Sequence, residues 1–178
     1  MKKPIDAALL WQYSLQKYAY DEVKDACLSL QDDYAYNVNL LLLCMLCDSL
    51  GVTLIESEID EIRTRIKVSD SALIEHRHRR RHAKTIEQSN SIILGKDCVD
   101  YQALLKQELK LEAAQQELIV HAYTALESPI VHQDIDGVSS SLCHYMDVMT
   151  TSSDTMQSSR DKNKTKQERL IKVLRKHV

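Results

Sequence analysis

The chain has 178 residues and a mass of 20.4 kDa, enough for one domain of ordinary size with length left over and too little for two large ones. Its 3 Gly and 2 Pro exclude a turn-dense sandwich, a barrel or a Gly-rich nucleotide fold, and leave helix formers in the majority. The formal net charge of -3 conceals alternating blocks: residues 1–75 sum to -6, 76–84 to +5, 85–159 to -8 and 160–178 to +6. Partners respond to such local fields rather than to the total, so the sequence describes an acidic body with two basic segments.

Taken in chain order, apolar residues recur at steps of three and four, the helical signature. The first helix is predicted from about Ile5 to Tyr20, with Ala7, Trp11, Leu15 and Tyr18 on one face. Asp21 is placed to cap a second, in which Val23, Ala26, Cys27 and Leu30 make a buried stripe. Asn37 caps a third, Val38 to about Leu50, apolar nearly all round and therefore central, with Gly51 at its C′ position. Thr53 and Glu56 have capping-box spacing, and behind them Ile55, Ile59, Ile62, Ile66 and Leu73 mark a long fourth helix reaching about Lys84, with irregularity expected at residues 68–71. Asp97 or Asp100 opens a fifth, to about Glu127, with Leu104, Leu111 and Leu118 at heptad steps. The expectation is an all-α antiparallel bundle of about five helices over residues 5–127.

Beyond Pro129 the pattern fails. Ten of the 21 residues from Ser139 to Ser159 are Ser or Thr, with few large apolar groups to offset the entropy of ordering. Residues 128–164 are therefore expected to be a disordered linker. Thr165 to Val178 regains helical spacing as a short basic amphipathic helix with Leu170, Ile171, Val173 and Leu174 on one side.

The N-terminal part carries Trp11-x-Tyr13-Ser14-Leu15-x-x-Tyr18, Ala26-Cys27-Leu28-x-Leu30-Gln31-Asp32 and Val38-Asn39-Leu40-Leu41-Leu42-x-Cys44. This pattern resembles a family of small bacterial all-helical proteins of unknown function. The resemblance extends over about residues 9–127, and implies a basic stretch at Arg77, Arg80, Arg81 and Lys84 and a late Leu- and Glu-rich helix such as Tyr101 to Leu118. Two departures stand out. Glu22 occupies a usual Gly position, and His76, Arg79 and Ala83 replace leucines of the basic stretch. The resemblance implies no activity.

No constellation for catalysis emerges. Phosphate loops, nucleophile elbows and zinc-protease motifs are all missing from the sequence. Cys44-x-x-Cys47 lies inside an apolar helix, not at the exposed helix N-terminus that activates a redox thiol, so both cysteines read as buried apolar residues. Glu75-x-x-His78 sits among arginines, whose charge repels a metal, and Glu108, Glu112, Glu117 and His121 lie on one helix, which cannot close a metal shell. No enzyme activity, metal or cofactor is expected. With an odd count of five cysteines and no secretory h-region after Met1, a reducing, cytoplasmic setting is expected, and the apolar run at residues 38–47 is too short to span a bilayer.

Only the charge remains as a pointer to function. Arg77, Arg79, Arg80, Arg81 and Lys84 in the first basic segment, with Arg169, Lys172, Arg175 and Lys176 in the second, are the candidate partner-binding residues. The expected role is a non-enzymatic protein–protein interaction or adaptor module. The alternative is a nucleic-acid or ribosome-associated factor that contacts phosphate through the same side chains.

Overall fold

The structure, a computed structural model, describes residues 4–89, 101–127, 140–151 and 157–178. Among these residues the regular structure is entirely α-helical: α1 Ala7–Tyr18, α2 Asp21–Tyr34, α3 Val38–Ser49, α4 Glu56–Ser89, α5 Tyr101–Ala125, α6 Ser141–Thr151 and α7 Gln157–Arg175. The five helices expected over residues 5–127 are α1 to α5, so the fold class follows the sequence reading.

Local signals explain most boundaries. Asp6 caps α1 by accepting a hydrogen bond from the Leu9 N–H at 2.7 Å. Asn37 accepts from the Leu40 N–H at 3.0 Å and starts α3 as expected. Gly51, at φ 68°, closes α3: its N–H donates to the Asp48 carbonyl and the Val52 N–H to the Cys47 carbonyl, satisfying the orphan acceptors of the last turn. Two caps differ from expectation. The N-cap of α2 is Tyr20, without a side-chain cap, while Asp21 and Glu22 lie in the first turn and favour its dipole. At α4 the reciprocal carboxylate is Glu58, which accepts from the Ile55 N–H at 2.9 Å, so the helix begins at Glu56 and not after Thr53. The helix then runs unbroken through residues 68–71, because the Ser69 hydroxyl bonds back to the Ile66 carbonyl without displacing the backbone ladder.

Helix α3 is the axis of the core. Every residue from Val38 to Cys47 is buried, and α1, α2, α5 and α6 pack around it. Helices α4 and α5 lie side by side along much of their length, and hydrogen bonds donated by Gln115 to Ser69 and by Arg80 to Glu108 fix them as antiparallel.

The tail departs most from the sequence reading. Within the stretch expected to be a disordered linker, residues 141–151 form α6, and Leu142, Tyr145, Met146 and Val148 enter the core. Composition misleads here because α6 concentrates its apolar groups on one face, while its serines and threonines cap and back-bond. The Ser141 and Leu142 N–H groups donate to the Asp48 carboxylate at 2.7 and 3.4 Å, so the end of α3 caps the start of α6. The Ser141 hydroxyl accepts from the Leu54 N–H at 2.9 Å. The remaining linker residues, 128–139 and 152–156, lie outside the described residues, as do Cys98 and the expected caps Asp97 and Asp100. The basic helix is longer than expected, starting at Gln157, and is docked: Ile171 and Leu174 join the core against α2 and α6.

Candidate functional site

The first basic segment extends the buried stripe of α4. Continuing Ile59, Ile62, Ile66 and Leu73 in steps of three and four reaches His76, Arg77, Arg80 and Ala83, which turn inward or sideways toward α5. Arg77 is buried; its Nη2 donates to Glu112 at 3.0 Å and its Nε lies 3.7 Å from Glu108. Arg80 engages both oxygens of Glu108 through Nε and Nη2. His76 donates from Nε2 to the Leu104 carbonyl at 2.9 Å. Glu108 and Glu112 are one turn apart on α5, so two carboxylates face two guanidinium groups across a half-dry seam. Burial pushes the Glu112 carboxyl above its ordinary range despite the opposing pull of Arg77.

These contacts divide the candidate residues. Arg77 and Arg80 are structural cations of the α4–α5 seam, contrary to the expectation that they face a partner. The reason is periodicity: in a long helix a run of nine residues must pass through the buried face twice. Arg81 is exposed yet paired with Asp32 of α2. Arg79 and Lys84 point to solvent, together with His78 and His82.

The second basic segment divides in the same way. Lys166 pairs with Asp33 at 2.8 Å, and Tyr36 donates to Gln167 at 2.8 Å. Just beyond α7, His177 meets Glu22 at 2.6 Å and its ring packs at a tilt of 44° against Tyr20, with centroids 4.9 Å apart. Arg175 donates to the Cys143 sulfur at 3.7 Å. Arg169, Lys172 and Lys176, spaced three and four apart, remain on the exposed face of α7. Both basic segments thus reach the acidic C-terminal turn of α2, at Asp32 and Asp33, and each commits one cation to it.

A buried amide network was missed from sequence. Gln115 accepts from Asn37 at 3.0 Å and Asn39 at 2.8 Å, and donates to Ser69. Gln116 donates to Asn39 and to Ser14, each at 3.0 Å. Asn37 also donates to Asp70 at 2.7 Å, while its backbone N–H donates to the Tyr145 hydroxyl. The signal was available: Asn39, Gln115 and Gln116 are polar residues on helix faces otherwise apolar, and such residues need one another. The network floors an open cleft of about 250 Å³ lined by Asn37, Asp60, Arg63, Lys67, Asp70 and Tyr145. In it Arg63 pairs with Asp60 at 3.1 Å, and Asp70 accepts from the Asn37 amide.

Cys27, Cys44 and Cys47 are buried thiols outside any disulfide, and burial drives the Cys44 thiol well above its ordinary value and Cys27 to about 12. Thiols so disfavoured as thiolates pack as small apolar groups, in keeping with the sequence reading.

Residues 9–119, from α1 into α5, match the family described as protein of unknown function (DUF2390). The chain belongs to that family. The α3 axis, the amide network apart from Tyr145, and the Arg77–Arg80–Glu108–Glu112 seam all fall within the matched residues of this family member, whereas α6 and α7 lie beyond them. No curated protein and no solved structure matches the chain. Among the described residues, no helix is long and apolar enough to cross a membrane.

Proposed function

We propose that this chain is a non-enzymatic protein-interaction module that presents charged helical faces to an oppositely charged protein partner. One observation carries the reading. After the internal pairs have claimed Arg77, Arg80, Arg81 and Lys166, the row Arg169, Lys172 and Lys176 still faces solvent on a helix already anchored by its apolar side. A docked helix loses no folding entropy when its outer face is bound, so its cations are preorganised for an acidic surface. Arg79 and Lys84 add a second solvent-facing pair on α4. The buried Arg, Glu and Asn groups, which in an open pocket would be the material of catalysis, are occupied in holding helices together.

Nucleic acid is the second reading, supported by the same cations. It is the weaker one because the neighbouring helix α2 exposes Asp21 and Asp25 in addition to the carboxylates already paired with the basic segments, and these repel phosphate, and no aromatic residue interleaves with the cations of α7 for base stacking.

The test uses the full chain and its Arg169→Glu, Lys172→Glu, Lys176→Glu variant. The proposal expects a protein captured by the wild type, absent with the variant, and rebinding as a purified component with an affinity that falls as salt rises. Retention of the partner by the variant overturns it. Anisotropy titrations with RNA and duplex DNA decide the second reading, for which binding must persist at about 150 mM salt and weaken with the triple reversal.

A further inference from the structure

Helix α6 brings His144 and Asp147, three residues apart on one helical face, to the first turn of α4, where Glu56 is the opening residue. One ligating atom from each of the three lies within 4.8 Å of the others, and His144 Nδ1 stands 3.8 Å from Glu56 Oε1. Among the described residues this is the one place where three such groups converge. We propose that Glu56, His144 and Asp147 bind a zinc ion that fastens α6 to the N-terminal turn of α4.

The donor set fits that ion. Zinc takes imidazole nitrogen and carboxylate oxygen at roughly 2.0–2.2 Å, and a tetrahedral shell then places its ligand atoms about 3.4 Å apart. The His144–Glu56 separation is already close to this value, and the Glu56 side chain, 59% exposed, is free to swing inward by the remaining distance. His144 and Asp147 are half-buried and held on a helix whose other face is in the core, so two of the three ligands are preplaced. Two carboxylates and a neutral imidazole carry two negative charges, which a divalent cation balances. The nearest α4 cation along the chain, Arg63, is paired with Asp60. The three protein ligands leave a coordination position for water. A mere ion pair between His144 and Glu56 would use no third group, whereas the geometry gathers Asp147 to the same point.

The proposed site joins α4, within the family match, to α6, beyond it. It therefore locks a segment beyond the family match onto the matched bundle, and does so independently of the cationic face of α7. The sequence hid it because Glu56 and His144 lie far apart in the chain and α6 falls in the Ser/Thr-rich region.

Zinc titration by calorimetry on the full, metal-stripped chain tests this, with Glu56→Gln, His144→Gln and Cys143→Ser variants. Glu56 is exposed, so its variant retains the fold, checked by circular dichroism. The expected result is one zinc per chain, binding at least about tenfold weaker in Glu56→Gln and His144→Gln and unchanged in Cys143→Ser. Saturating zinc should raise the wild-type melting midpoint by roughly 5 °C, and the gain should vanish in Glu56→Gln. Substituted Co²⁺ should show a spectrum without thiolate-to-metal charge transfer. No zinc uptake at tens of micromolar, binding indifferent to both glutamine variants, or binding lost in Cys143→Ser overturns the proposal.

Discussion

Arg77 and Arg79 are two residues apart in the same basic run and do opposite things. Arg77 is buried against Glu108 and Glu112, whereas Arg79 faces water. Removing one partner of a buried pair strands the other's charge, so Arg77→Ala is expected to lower unfolding free energy by about 3 kcal/mol or more, and Arg79→Ala by no more than about 0.5 kcal/mol. Urea denaturation of the two variants measures the contrast, and equal effects would contradict the seam. Asp48 provides the pH signature at this scale. Burial holds its carboxyl above the ordinary value even though Ser141 and Leu142 donate to it. A carboxyl raised in the native state takes up its proton before the unfolded chain does, so its ionised form is the costlier one and its contribution to stability grows as pH falls. From pH 7 toward the unfolded carboxylate range near 4, wild-type stability should therefore rise relative to Asp48→Asn. A difference that stays flat, or shrinks, would show that the carboxylate is not desolvated.

The helices themselves illustrate how far a local signal reaches. Helix α3 is legible at a glance, since a ten-residue apolar run with Asn before it and Gly after it has one reasonable structure. Helix α2 ends less comfortably. Ala35 holds φ 58° at its C-cap, in the left-handed region where a Cβ is strained and Gly is not. Ala35→Gly is accordingly expected to raise the melting midpoint, with a gain of about 0.5–1 kcal/mol, and a loss would mean that the neighbouring contacts require the methyl group. Helix α6 is the element that composition conceals. Its start depends on two hydrogen-bonding side chains, Asp48 and Ser141, that come together only in the folded chain. Ser141→Ala leaves the buried Leu54 N–H without its acceptor and should cost about 1–3 kcal/mol, read by chemical denaturation.

At the scale of the molecule, the charge blocks of the sequence turn into packing instructions. The +5 segment closes on Glu108 and Glu112, and the tail lies across α2 with Lys166 on Asp33 and His177 on Glu22. Residues 5–127 are therefore not the whole of the folded unit, because Leu142, Tyr145, Ile171 and Leu174 complete the core around α2 and α3. A chain ending at residue 127 would expose that surface. It is expected to bind a hydrophobic dye and melt well below the full chain, or to associate, and a truncated chain as stable as the full one would refute this. For the same reason the partner test relies on surface charge reversal and not on removal of the tail.

Sequence alone determined the helical class, the central place of α3, the apolar character of Cys44 and Cys47 and the helical nature of the basic tail. These follow from periodicity and composition, which act over one or two turns and are written in neighbouring residues. Tertiary structure decided which cations are free. Whether Arg80 meets Glu108 or solvent, whether Ser141 caps a helix or lies in a linker, and whether His144 meets Glu56 depend on residues tens of positions apart. Each of those pairings is worth forming only where other helices have already excluded the water that would otherwise satisfy the same groups.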